Sequence, residues 1–483
     1  MYTELLKLCG FDLEEIEKER SRIDRAFDIM KVNNPVDIKR AEERLKKYVW
    51  VESLGMRKIV GIWLKDMIDL VLAEEEGKKT VYTSYPPIRE IAAITANATD
   101  NIVGACPEAL VTIVMGLIFG KLNQYLEKAE SRLLKHGLAF CSLLKARMGA
   151  IESGLIPVPT FTIPSGLICD QAPKTDEILH EMYGIQVQYI DALWDESKEE
   201  YPVVSPRHVK YLGKEMENAV KKFGEIAGIE LTDERSREIL RLYVKADAAW
   251  QKVLWQSFSD PMPLSRVERT FTSGMVSSCN RHGIQEGEEA LTILAGEVQK
   301  RIDNGFGIAP KNSPRIWFLI ANLSDPTMVK FLENDLHLVM PVGLETLPEE
   351  LRYKSNYKLL WEQRADINLR IGSRRSGISY SKQIISACKE FQLDGLILQY
   401  HVPCHMYDIF PFKLKDMVQK ELGMPVLLLE GDWYETRDYN LEGYRTKLEA
   451  FAETVRIFAE KMRPSRTPIR SMKSEDLKWF SLK

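Results

Sequence analysis

Residues 394–407 read DGLILQYHVPCHMY, and the reading of this stretch decides the fold. After Asp394, the run GLILQY (395–400) has the length and apolar density of a strand buried on both faces, the signature of a parallel sheet. Cys404 follows within a few residues, ahead of a segment, 405–422, that fills the gap before the next apolar run. In an open α/β sheet, ligands bind outside the carboxyl ends of the strands. A helix start at that place also favours a thiolate.

Working outward, RIWFLIA (315–321), residues 336–342 and PVLLLEG (425–431) read as further buried strands, with a helix over 381–391. Towards the N-terminus, KTVYTSY (79–85), FTIP (161–164) and IQVQYID (185–191) are strand-like. The stretch from the first of these to about residue 150 reads as helical. Residues 174–183 read as a helix with Asp176 and Glu177 in its first turn, where acids suit the helix dipole. The expected fold class is α/β: two Rossmann-like parallel-sheet domains with a helical N-terminal extension and a helical connector. The expected boundaries are 1–75 for the extension, 76–205 for the domain carrying Cys141 and Cys169, and 206–308 for the connector. Residues 309–465 form the domain carrying Cys404, and 466–483 a basic tail. Asn34-Pro35 separates the first helices.

At 483 residues the chain exceeds a single core and reads as two to four domains. A composition 45% apolar and 28% charged is that of a soluble globular protein, and a net charge of -4 gives no electrostatic case for nucleic acid or an anionic membrane. The opening MYTELLKLCGFDLEEIEKER lacks the apolar region of a signal peptide, so the expected location is cytoplasmic. The best membrane candidate, 109–120, is too short to span, and 59–73 carries Lys65, Asp66 and Asp69. No membrane span is expected.

Seven cysteines without a secretory signal point to free thiols. No C-x-x-C occurs, so any cluster gathers its ligands from distant segments. Cys169, in FTIPSGLICDQAPKTDE, sits between a strand and a helix as Cys404 does, and Cys141, in AFCSLLKARMGA, precedes it in the same unit. Position alone allows these three to converge on a cleft between two α/β domains, but the commoner fate of a free cysteine is that of a small buried hydrophobe. Cys388 falls on an apolar helix face with Ile384 and Ile385; Cys9 and Cys279 read as inert, and Cys106, in GACPEAL, fits either role.

FCSLLKARMG (140–149), ICD (168–170) and DGLILQYHVPCHMY (394–407) resemble, in that order, the three cluster-cysteine motifs of the 2-hydroxyacyl-CoA dehydratase and class I benzoyl-CoA reductase superfamily. PVLLLEGDWYETRDYNLEGYRTKLEAF (425–451) resembles its closing segment, and the likeness runs from about residue 78 to 460. The resemblance implies a 4Fe-4S cluster held by Cys141, Cys169 and Cys404. Three thiolates would leave one iron open for a thioester or hydroxyl oxygen. It also implies an anaerobic acyl-CoA enzyme, a related second subunit or homodimer, and a separate ATP-hydrolysing iron–sulfur activator. This chain itself has no G-x-x-x-x-G-K-[ST] loop. A related branch carries a further cysteine after the first strand, where this chain has Ser84, which argues for a single cluster.

His401 and His405 flank Cys404 as candidate proton carriers, and Glu90 resembles a glutamate of the family that approaches the cluster. Glu430 and Asp432 are expected to order the last strand's loop or to pair with Arg437. The ending EGDWYETRDY and the connector look more like the reductase, so one-electron reduction of an aromatic ring is the first expectation. The alternatives are radical dehydration of a 2-hydroxyacyl-CoA, or a non-catalytic electron-relay subunit.

Overall fold

The computed structural model describes the chain except residues 133, 136–139, 192, 194–200, 320–324, 345, 402–403, 405, 438–440, 466–468 and 470–483. His405 and nearly all of the expected basic tail therefore lie outside the described residues.

Five helices, Thr3–Leu8, Leu13–Lys18, Arg20–Ile29, Pro35–Tyr48 and Leu54–Leu72, precede the first strand. Pro35 opens the fourth, and Asn34 caps it by accepting the Asp37 N–H at 3.0 Å. The fifth is buried along most of its length. Its N-terminus is anchored by Glu297, whose carboxylate accepts the N–H groups of Leu54 (2.9 Å) and Gly55 (3.1 Å).

Two parallel sheets follow. In the first, β1 (Lys79–Tyr82) lies between β2 (Ile102–Ala105) and β3 (Phe161–Thr162), and β4 (Gln186–Val187) pairs with β3. In the second, β6 (Gly395–Tyr400) lies between β5 (Ile316–Leu319) and β7 (Val426–Glu430), with Leu396 opposite Val426. The α/β reading thus holds. Long helices join the two sheets, among them Pro206–Ala227, Asp233–Gln256, Arg266–Ser278 and Gly287–Asp303. Among the described residues no helix is long and apolar enough to cross a membrane.

Three elements differ from expectation. The helix expected over 174–183 begins at Gln171, so Asp176 and Glu177 fall past its first turn. Ile102–Ala105, read as part of a helical stretch, is the strand β2; Gly104 lets it lie against the helix Arg89–Asn97, where a Cβ would meet the Ala96 nitrogen at 2.5 Å. Residues 336–342, expected as a strand, make only an isolated bridge between Val339 and Arg315. Pro341 has no N–H to extend that bridge into a ladder.

Candidate functional site

The carboxyl ends of β1, β3, β6 and β7 open onto one cavity of about 210 Å³. Cys141, Cys169 and Cys404 all line it, and all three are partly exposed. The remaining cysteines, Cys9, Cys106, Cys279 and Cys388, are fully buried and absent from its walls. Tyr85 comes from beyond β1, Gln171 from beyond β3, Tyr407 from beyond β6 and Trp433 from beyond β7. The N-terminal helices add Trp63, whose indole N–H donates to the Phe271 carbonyl at 3.0 Å.

Each cysteine sits on a backbone fixed by hydrogen bonds. The Cys141 N–H donates to Gln171 Oε1 at 3.0 Å, and the helix Ser142–Glu152 begins at the next residue. The Ser142 N–H donates to Asp432 Oδ2 at 3.0 Å, and the Ser142 hydroxyl bonds the same carboxylate. Asp432 thus ties the loop after β7 to the helix that starts at Cys141. The Cys404 N–H donates to the His401 carbonyl at 2.8 Å, and the Tyr407 N–H to the Cys404 carbonyl at 2.9 Å, which ties the Cys404 backbone to His401 and Tyr407.

Burial pushes the Cys169 thiol up to about 11 and, with the charge of Cys169 added, the Cys404 thiol up to about 12. Cys141 is raised well above the ordinary thiol range by burial, then by Asp432 and Cys169. Burial thus keeps all three as neutral thiols. A bound cluster would supply positive charge and displace the protons. Among the described residues, no three His, Cys, Asp or Glu side chains could hold a metal ion together. A cluster sets its thiolates on different irons, so it asks for wider spacing than a single ion does. Three thiols on the wall of one cavity match the thiolate donors that such a cluster takes.

His401 is buried beside the turn. Its Nδ1 lies 2.8 Å from the Gly431 carbonyl, so Nδ1 carries the hydrogen. Nε2 has no hydrogen-bond partner among the described residues and stands 3.5 Å from Asp432. Glu90 is placed differently. It is fully buried, bonded to Arg364 Nε at 2.9 Å and Asn368 Nδ2 at 3.0 Å, and it is not among the cavity-lining residues. Asp170 lines the cavity and pairs with Lys174 at 2.6 Å. Glu430 accepts the Tyr400 hydroxyl at 3.1 Å, whereas Arg437 turns away to Glu130 and Glu435. Ser84 is committed to the core. It accepts from Arg147 at 2.7 Å and donates to Asp176, while Arg147 also pairs with Glu108 at 3.0 Å.

Three arginines on the cavity wall, Arg89, Arg266 and Arg374, escape a sequence reading. Each stands among ordinary charged residues in the sequence, and only its place on the cavity wall sets it apart, with Arg266 and Arg374 buried and Arg89 partly exposed. Spacing carries a faint signal for one: Arg266, Thr270, Ser273 and Ser277 recur on a single helical face.

A family model described as 2-hydroxyglutaryl-CoA dehydratase, D-component, matches residues 97–455. The (R)-phenyllactyl-CoA dehydratase alpha subunit of Clostridium sporogenes is 22% identical over 323 residues, covering 66% of this chain and 76% of the relative. The (R)-2-hydroxyglutaryl-CoA dehydratase subunit alpha of Acidaminococcus fermentans is 22% identical over 314 residues, 63% of this chain and 62% of the relative. The (R)-2-hydroxyisocaproyl-CoA dehydratase alpha subunit of Clostridioides difficile is 20% identical over 360 residues, 68% of this chain and 80% of the relative.

Proposed function

Because the chain belongs to the 2-hydroxyglutaryl-CoA dehydratase D-component family, an enzyme family, we propose that it is the alpha-type subunit of a 2-hydroxyacyl-CoA dehydratase. The observation that carries this reading is the meeting of Cys141, Cys169 and Cys404 on one cavity at the strand ends of both sheets. The relatives are named as dehydratase subunits, which favours dehydration over the ring reduction that the chain's closing segment suggested.

In this reading the three thiolates hold a 4Fe-4S cluster. Such a cluster supplies an open iron and one-electron chemistry at the thioester. The chain's own residues do the rest. Asp432 and Gln171 hold the Cys141 backbone in place, and backbone hydrogen bonds to His401 and Tyr407 do the same for Cys404. Trp317, Trp433 and Tyr434 wall the cavity with apolar surface that excludes water. His401 Nε2, lacking a hydrogen-bond partner among the described residues, is the group able to accept a proton. The expected partners are an acyl-CoA substrate, a related second subunit or a second copy of this chain, and a separate ATP-hydrolysing activator. The two sheets also support domains near 76–205 and 309–465 with helices between them.

The test is anaerobic purification, followed by iron and acid-labile sulfide analysis of the wild type and Cys404→Ser. Roughly four irons per chain in the wild type, lost or labile in the variant, is the expected result. Enoyl-CoA formation with catalytic ATP and activator separates dehydration from reduction, which consumes ATP stoichiometrically. Absence of iron under strict anaerobiosis, or turnover of neither thioester, would sink the reading.

A further inference from the structure

Cys141 and Cys169 each stand at the start of a helix. Ser142–Glu152 begins one residue after Cys141, and Gln171–Tyr183 begins two residues after Cys169. Arg147 is the sixth residue of the first helix and Asp176 the sixth of the second. Both side chains are fully buried, and they meet. Arg147 Nη1 lies 3.3 Å from each oxygen of the Asp176 carboxylate, and Nη2 lies 3.3 Å from Oδ2.

Two strand ends join this pair. Ser84, just beyond β1, accepts from Arg147 at 2.7 Å and donates to Asp176. Glu108, just beyond β2, lies 3.0 Å from Arg147 Nη1. At the cavity end the same two helices are joined again, because Gln171 Oε1 accepts the Cys141 N–H at 3.0 Å. One joint at the helix starts and another roughly 7 Å deeper fix the separation of the helices and also their relative tilt. Cys404 is held apart from this network, by backbone bonds to His401 and Tyr407 beyond β6 of the second sheet.

Stability alone does not account for such a network. A buried ion pair commonly gains nothing over apolar side chains of the same volume. Here one guanidinium faces two carboxylates, and burial raises Glu108 to about 7. What the charges add is direction. A guanidinium fork between fixed acceptors allows one placement of the two helices, whereas apolar surfaces can slide. None of Ser84, Glu108, Arg147 and Asp176 lines the cavity, so any effect they have on its contents passes through the cysteines.

We infer that Arg147 and Asp176 are positioning residues whose ion pair sets the spacing of Cys141 and Cys169, and with it the geometry that the proposed cluster meets. This rests on the cluster reading and goes beyond it, because it makes the spacing of two thiols a property of the bare chain.

The test is cross-linking of the full-length, iron-free chain with dibromobimane, which fluoresces strongly once two neighbouring thiols have each displaced a bromide. A Cys404→Ser background leaves Cys141 and Cys169 as the cysteines on the cavity, and peptide mapping identifies the bridged pair. The expected result is ready bridging in the background. Adding Arg147→Met, Asp176→Leu and Glu108→Gln together, which removes the charges at similar volume, slows it about tenfold or more. The urea midpoint stays near that of the background, since apolar side chains replace buried charges. Arg147→Lys, which keeps the charge but not the fork, recovers part of the rate. In the chain that retains Cys404, the triple substitution also shifts the g-values of the reduced, reconstituted cluster in electron paramagnetic resonance.

Unchanged bridging and unchanged g-values in the triple variant overturn the inference and leave the cluster reading standing while the wild type holds iron. A midpoint well below the background makes the network a stability element and overturns it too, as does absence of bridging in the background. Loss of bridging in the variant, with no iron in the wild type, keeps the positioning of the two thiols and sinks the cluster reading.

Discussion

The carboxylate of Asp432, beyond the last strand of the second sheet, accepts the N–H of Ser142, at the start of a helix belonging to the first. It also accepts the Tyr434 N–H at 3.1 Å, so one side chain joins two segments that carry cavity walls. Asp432→Ala leaves these donors unsatisfied and is expected to cost about 1–2 kcal/mol in urea unfolding. Asp432→Asn, which still offers one acceptor, is expected to cost less. Equal losses would mean the carboxylate is not the tie.

Glu90 is expected to serve stability. Arg364→Met strands its buried carboxylate and should cost about 3–5 kcal/mol, whereas the double variant Glu90→Met/Arg364→Met should recover much of that loss. Chemical denaturation of the four proteins of the cycle measures this. A Glu90 variant that keeps full stability but loses turnover would return Glu90 to a chemical role.

Gly149, the last residue of FCSLLKARMG, packs the helix Ser142–Glu152 against Asn123–Arg132 so closely that a Cβ would overlap the Tyr125 carbonyl oxygen. Gly149→Ala is therefore expected to destabilise by about 1–3 kcal/mol or to prevent folding, in contrast to the usual gain of alanine over glycine in a helix. A melting temperature at or above wild type would refute the close approach.

A pH effect is expected where the N-terminal helices meet the connector. Burial alone would lower the pKa of His282, but contacts at 3.1 Å to Asp69 and 2.6 Å to Glu286 outweigh it and raise the value to about 10. Lys65 also reaches Glu286, and Arg22 reaches Asp69. A raised histidine stabilises fully below its unfolded value of about 6.5 and loses that contribution as pH rises to its folded value. Asp66, raised by burial to about 7, adds a loss between about pH 4 and 7. Asp69 and Glu286, each lowered to about 2, act in the opposite sense, but only below about pH 4. The urea midpoint should therefore fall between pH 6.5 and 10, and His282→Gln should flatten that slope. An unchanged slope in the variant would assign the effect elsewhere.

What the sequence made legible follows from pattern length. GLILQY and PVLLLEG are long apolar runs, and both are strands of the second sheet. IVGA is only four residues, includes a glycine and escapes as β2. Cys404 and Cys169 were legible because strand, cysteine and helix follow one another directly along the chain. Arg266 and Arg374 were not, since nothing local separates a buried charge from a solvated one. The environment of Glu90 likewise depends on Arg364, which lies 274 residues further along the chain.

The cavity takes walls from Trp63 in the N-terminal helices and from Tyr434 past the final strand. During synthesis, then, the pocket stays open on one side until the chain has been made past Tyr434. A nascent chain halted before Asp432 would already carry Cys141, Cys169 and Cys404 but would lack the tether at Ser142. A chain truncated before Asp432 is therefore expected to hold an occupant of the pocket less firmly than one that includes Tyr434.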